Sequence, residues 1–111
     1  MRLKSGVRVL GIKPEVLFII HAADPIWQSY GLPSGVTVSG GVEGVHVRAS
    51  EHYTGLALDL RVHDLPPGKV LEAFVFLGVA LGVDFDLFHE KIGTPEEHFH
   101  IHWNAKSPIN I

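Results

Sequence analysis

The most regular hydrophobic pattern of the chain lies near its end, where His98–Trp103 reads H-F-H-I-H-W. Side chains at i and i+2 of a strand share a face. The alternation therefore predicts a strand with Phe99, Ile101 and Trp103 on an apolar face and His98, His100 and His102 on the other. Leu56–Val62 follows the same rule, with Leu56, Leu58, Leu60 and Val62 opposed to Ala57, Asp59 and Arg61. Val83–Glu90 follows it more weakly, placing Phe85 and Leu87 toward a core and Asp86, Phe88 and Glu90 on the histidine side. Lys69–Gly82 has helical spacing, with Leu71, Phe74, Val75, Gly78 and Leu81 as the expected shared face. Pro14 suits the first turn of a helix and opens the apolar run E-V-L-F-I-I-H-A-A. Asp24-Pro25 is expected to break or kink that helix before a second stretch reaches about Tyr30.

The punctuation between these segments completes the order. Val7–Leu10 reads as a short edge strand and Val36–Val38 as another, with turns at 31–35 and 64–68 and a loop over 39–44. No repeat, linker or low-complexity segment interrupts the 111 residues, so residues 1–111 are expected to form one domain. Strands and helices in this order predict an α+β fold, a mostly antiparallel sheet with helices packed on one face.

Composition narrows the function classes. Nine Lys and Arg against twelve Asp and Glu, with no basic run, argue against a nucleic-acid surface. The apolar runs are too short to span a bilayer. The basic N-terminus lacks an evident secretory core and cleavage site, which predicts synthesis in the cytoplasm. The absence of cysteine removes disulfides and thiolate metal sites. Eight histidines are many for this length, and they direct attention to imidazole chemistry.

A row of alternate histidines can be a solvated sheet face. His52 and Asp59, seven residues apart with Gly55 permitting a turn between them, add to it. Catalytic zinc takes three protein ligands from His, Asp or Glu and keeps one position for water. His52, Asp59 and one histidine of the terminal strand meet that count. A cupin would also use H-x-H, but it expects a glutamate soon afterwards, and no acidic residue follows His102.

S-E-H-Y-T-G-L-A-L-D, Ser50 to Asp59, matches S-x-H-x-x-G-x-A-x-D, and H-I-H, His100 to His102, matches H-x-H. In these motifs the chain resembles the zinc D-alanyl-D-alanine peptidase and hedgehog-like superfamily, especially small phage and bacterial members similar over nearly the whole chain. The resemblance implies that His52, Asp59 and His102 bind Zn2+, and that His100 is a non-ligand able to stabilise a developing oxyanion. It also implies a glutamate base: Glu90, which ends F-D-L-F-H-E, is the first candidate and Glu97 the second, because the insert K-I-G-T-P-E-E departs from short-loop relatives.

His46, Ser50 and Arg48 are the expected substrate-binding residues: His46 by its position in hedgehog-type sequences, Ser50 as the first signature residue, and Arg48, like Arg61, as a partner for a carboxylate. His21, His63 and His89 are read as structural or solvated. The implied activity is zinc-dependent hydrolysis of a peptidoglycan peptide bond, next to a D-amino acid. The alternative is a zinc-bound recognition module, a use to which hedgehog signalling domains put the scaffold.

Overall fold

The computed structural model describes residues 1–9, 11–41 and 56–106. Seven elements follow in chain order: β1 (Arg2–Leu3), α1 (Pro14–Ser29), β2 (Thr37–Gly40), β3 (Ala57–Arg61), α2 (Val70–Leu81), β4 (Phe85–Glu90) and β5 (His98–Trp103). The strands form a mixed sheet in the order β1-β2-β3-β5-β4, in which β1 and β2 are parallel and every other pair is antiparallel. The result is one α+β domain.

Both helices lie on the apolar face of this sheet. Strand alternation sends Leu58 and Leu60 of β3 and Phe99 and Ile101 of β5 to that face, where all four are fully buried. Helix α1 adds Val16, Ile19, Ala23 and Trp27, a 3-4-4 spacing that makes one stripe. Trp27 meets Phe99 edge-on at 6.1 Å, and Phe74 of α2 meets the same ring at 5.3 Å. Fully burying side chains of this size stabilises the fold by about 1.5–3 kcal/mol each, so the helix–sheet seam holds the molecule together. The Tyr30 hydroxyl adds a polar tie between the helices, donating to Glu72 Oε1 at 2.6 Å. Burial, followed by this bond and the Glu72 charge, pushes the phenol up to about 12.

Four local expectations are corrected. The edge strand is Arg2–Leu3, whose parallel pairing is continued by the Lys4 N–H donating to the Val38 carbonyl. Val7 and Val9 pack on the core from coil, and Leu10 lies outside the described residues. Helix α1 runs unbroken through Pro25. Proline near the end of a helix removes one backbone donor, while Ala23 and Trp27 on either side stay fully buried and anchor the segment. Residues 39 and 40 belong to β2, with a register shift between Val38, opposite Leu60, and Gly40, opposite Asp59.

The fourth correction concerns α2, whose buried residues are Ala73, Leu77 and Leu81, with Val70 and Phe74 packed beside them. Leu71 and Val75, expected on the inner face, are 69% and 59% exposed. The helix reads V-L-E-A-F-V-F-L-G-V-A-L and is apolar nearly all round, so its periodicity does not select a face.

Candidate metal and catalytic site

The polar face of the sheet collects the histidines. In the β3–β5 ladder Asp59 lies opposite His100, Ala57 opposite His102 and Arg61 opposite His98. In the β4–β5 ladder Asp86 lies opposite His102, Phe88 opposite His100 and Glu90 opposite His98. Directly opposed side chains in antiparallel strands are about 4.5–5.5 Å apart at Cβ. Register therefore builds three rows, each crossing three strands.

Along these rows runs a chain of polar contacts. Glu90 Oε1 lies 3.1 Å from His98 Nε2, which is 3.7 Å from Asp59 Oδ1. Asp59 Oδ1 lies 2.9 Å from His100 Nδ1, and His100 Nε2 lies 3.4 Å from His102 Nδ1. His102 Nε2 lies 2.9 Å from Asp86 Oδ2, and Asp86 is itself held by Asn104 at 2.9 Å and by the Lys106 ammonium. The half-exposed Phe88 ring covers His100 and His102 at 6.1 and 5.7 Å, which thins the water over them and strengthens their electrostatic contacts.

Side-chain chemistry separates the carboxylates. The bonds from Lys106 and Asn104, against the opposing effect of burial, bring Asp86 down to about 2. It is accordingly a weak base and a firm acceptor for His102. Glu97 shares the parity of Phe99 and turns toward the helix side of the sheet, where its Oε2 lies 2.6 Å from His89 Nε2. The His89 ring in turn packs against Phe74 and Phe99. The His89 bond and the Gly93 N–H hold Glu97 below the usual glutamate range, against the effect of burial. Glu90 has the contact to His98 and is 48% exposed at its side chain.

Of the residues expected at a metal, Asp59 and His102 thus share a face with His100 between them. His52, and the expected substrate residues His46, Arg48 and Ser50, lie outside the described residues. Among the described residues, no group of three or more His, Asp or Glu side chains is arranged to hold a metal ion. The ligand types nevertheless fit zinc. Metal-binding histidines commonly donate their second nitrogen to a carboxylate. Asp86 faces Nε2 of His102 in this way, fixing a proton there and turning the Nδ1 lone pair toward His100.

Three contributors were not singled out from sequence. His98 shares the strand face of His100 and His102, a visible signal, but its link between Glu90 and Asp59 depends on register. Asp86 is visible as a polar residue on that face, whereas its place beside His102 is not. Gly40 had no signal as a site residue: a Cβ there would stand 2.5 Å from Asp59 Oδ2, so Asp59 takes its position because this residue has no side chain.

Beside His98 the same face opens into a cleft of about 440 Å³, lined by Lys4, Ser39, Asp59, Arg61, His63 and residues 95–98. The chain matches no protein-family model, no curated protein and no solved structure.

Proposed function

We propose that this chain is a zinc-dependent peptidase of the D-alanyl-D-alanine peptidase and hedgehog-like superfamily, acting on a cell-wall peptide bond next to a D-amino acid. One observation carries the reading. The strand register brings Asp59, from the first motif, onto one face with His100 and His102, from the second. Segments about forty residues apart in the chain thereby share one face of the sheet.

A zinc ion held by His52, Asp59 and His102 would supply Lewis acidity at the scissile carbonyl and lower the pKa of the attacking water. The remaining roles fall to the chain's own side chains. His100 keeps Nδ1 on Asp59, and as an imidazolium it would offer an Nε2–H hydrogen bond to the developing oxyanion. Asp86 holds the tautomer of His102. Glu90 is the candidate proton-handling carboxylate on the histidine face, where its Oε1 lies 3.1 Å from His98 Nε2. Asp86 and Glu97 are committed to other partners, which leaves Glu90 the stronger of the two glutamate candidates.

The recognition-module reading draws support from one distance. Glu90 is four residues along β4 from Asp86, the neighbour of His102, or about 13 Å at strand rise. The test is elemental analysis of untagged protein with mass spectrometry of purified muropeptides and precursor pentapeptide. About one zinc per chain, lost in Asp59→Ala and His102→Ala, and cleavage abolished by a chelator are the expected results. Glu90→Gln should keep the metal and lose about 10²-fold or more in turnover. Full zinc in both ligand variants overturns the metal site, and zinc without cleavage favours recognition.

A further inference from the structure

Helix α2 turns one apolar face to the sheet and a second one away from it. Ala73, Leu77 and Leu81 make the buried stripe. Leu71, Val75 and Val79 repeat the same four-residue step two residues out of phase, about 200° round the helix. These three, with Phe76 and Val83, are each more than half exposed. Phe18 of α1, whose ring meets Phe85 at 5.8 Å, adds apolar surface at the C-terminal end of the helix. A helix lying on a sheet ordinarily carries polar residues on its outer side, so the fold of one chain does not account for this stripe. Charge and area narrow what covers it. Residues 71–83 contain one charged side chain, Glu72, which accepts from the Tyr30 hydroxyl at 2.6 Å and lies 3.8 Å from the Lys69 ammonium. Asp84, just beyond Val83, accepts from the Lys106 N–H at 2.8 Å. The face thus offers no free charge to an acidic or basic peptide. Without Lys or Arg on it, and with a net charge of −3, the chain is not drawn to an anionic lipid surface either. A second copy of the same face meets no like charge. The exposed side chains present roughly 400–600 Å² per copy, the upper end for a monomer. Pairing two copies would bury about 1,000 Å², the area at which specific interfaces begin.

We propose that the outer face of α2 is a homodimer interface, in which two α2 helices cross antiparallel on a twofold axis at Val75. Residues four apart form a ridge that packs between the ridges of a second helix. This ridge is symmetric about Val75, with Leu71 four positions before it and Val79 four after. A twofold axis there sets Leu71 of one copy against Val79 of the other, a self-complementary contact of the commonest kind. Both helices lie on the side of the sheet away from the histidines, so the dimer leaves both candidate sites open on its outer surfaces. The interface is independent of the activity assigned to those sites.

The test uses the full chain, which has no cysteine, so an introduced one reports alone. Sedimentation equilibrium should show monomer and dimer in exchange, with a Kd of roughly 1–100 μM for an interface of this size. Val75→Cys should give a covalent dimer on mild oxidation, because Cβ atoms on the axis come within disulfide reach. Leu71→Cys alone should not, since its two copies stand about 12 Å apart along the helices. A mixture of Leu71→Cys and Val79→Cys should again crosslink. Val75→Glu and Val75→Lys should each weaken self-association about tenfold or more by setting like charges on the axis, and mixing the two should restore dimers. In dilute solution these exposed positions should leave the unfolding of the monomer unchanged. A chain that stays monomeric to about 1 mM, association unchanged in Val75→Glu, or crosslinking at Leu71 as efficient as at Val75 overturns the interface. A monomer that instead binds zwitterionic vesicles, and loses them in Val75→Glu, assigns the face to a lipid surface and also overturns the dimer.

Discussion

Asp59 depends on what its neighbour lacks. Gly40, opposite it across the β2–β3 ladder, leaves the space that the carboxylate fills. Gly40→Ala would put a methyl group 2.5 Å from Oδ2 and 3.1 Å from Cβ and Cγ of Asp59, forcing the side chain off its position. Overpacking of this kind costs about 1–3 kcal/mol. The variant should lower the midpoint of denaturant unfolding and weaken the contact to His100, read as a shift of the His100 ring resonances. A wild-type midpoint and unshifted ring would show that the strand gives way instead. Glu97 makes a pH-dependent contribution. Because its folded carboxyl is held below the ordinary value of 4.5, the stability it adds is complete above that value and is lost as pH falls through the lower, folded one. Glu97→Gln should therefore cost about 1–2 kcal/mol near pH 6. The difference should shrink in denaturant melts toward pH 3, and a pH-independent difference would rule the mechanism out.

Elements were legible in proportion to the contrast within their patterns. Strand β5 alternates apolar with histidine at every position, so both its type and its buried face could be read before any packing was known. Helix α2 offers no such contrast, and its buried stripe was set by where Phe99 and Ile101 needed cover. Its outer side keeps Leu71, Val75 and Val79 in water, the last 81% exposed. Two substitutions only two residues apart, on opposite sides of α2, should accordingly differ widely. Leu77→Ala should cost about 2–5 kcal/mol, as for a buried leucine. Val79→Gln should stay within about 0.5 kcal/mol, as for an exposed position away from special contacts. Thermal unfolding of both variants checks the assignment, and comparable losses would mean that the inner face is misplaced. Strand β1 escaped sequence reading because two residues carry no period; it is recognisable only through its partner β2.

For the whole molecule, helices cover one sheet face and polar side chains line the other, so the core and the candidate site lie on opposite sides. Changes to the outer row should alter binding and turnover more than unfolding. Asp59→Asn, for example, should shift the thermal midpoint of the metal-free protein by only a few degrees while abolishing zinc retention, measured by elemental analysis after dialysis. A large loss of stability without metal would show that Asp59 is structural. The sequence by itself determined the fold class, the apolar faces of β3 and β5, and the presence of His98, His100 and His102 on one face of their strand and of Asp59 on the polar face of its own, since a period of two is a local property of the backbone. Only the tertiary structure decided which groups meet. That Asp59 faces His100, that Asp86 backs His102, that Glu90 reaches His98 and that Glu97 turns away to His89 all follow from strand order and register. So does the cleft that residues of β2, β3 and β5 line together. A one-residue slip of register would invert each of these pairings without changing any local propensity, because register is fixed by the burial of the opposite face against α1 and α2.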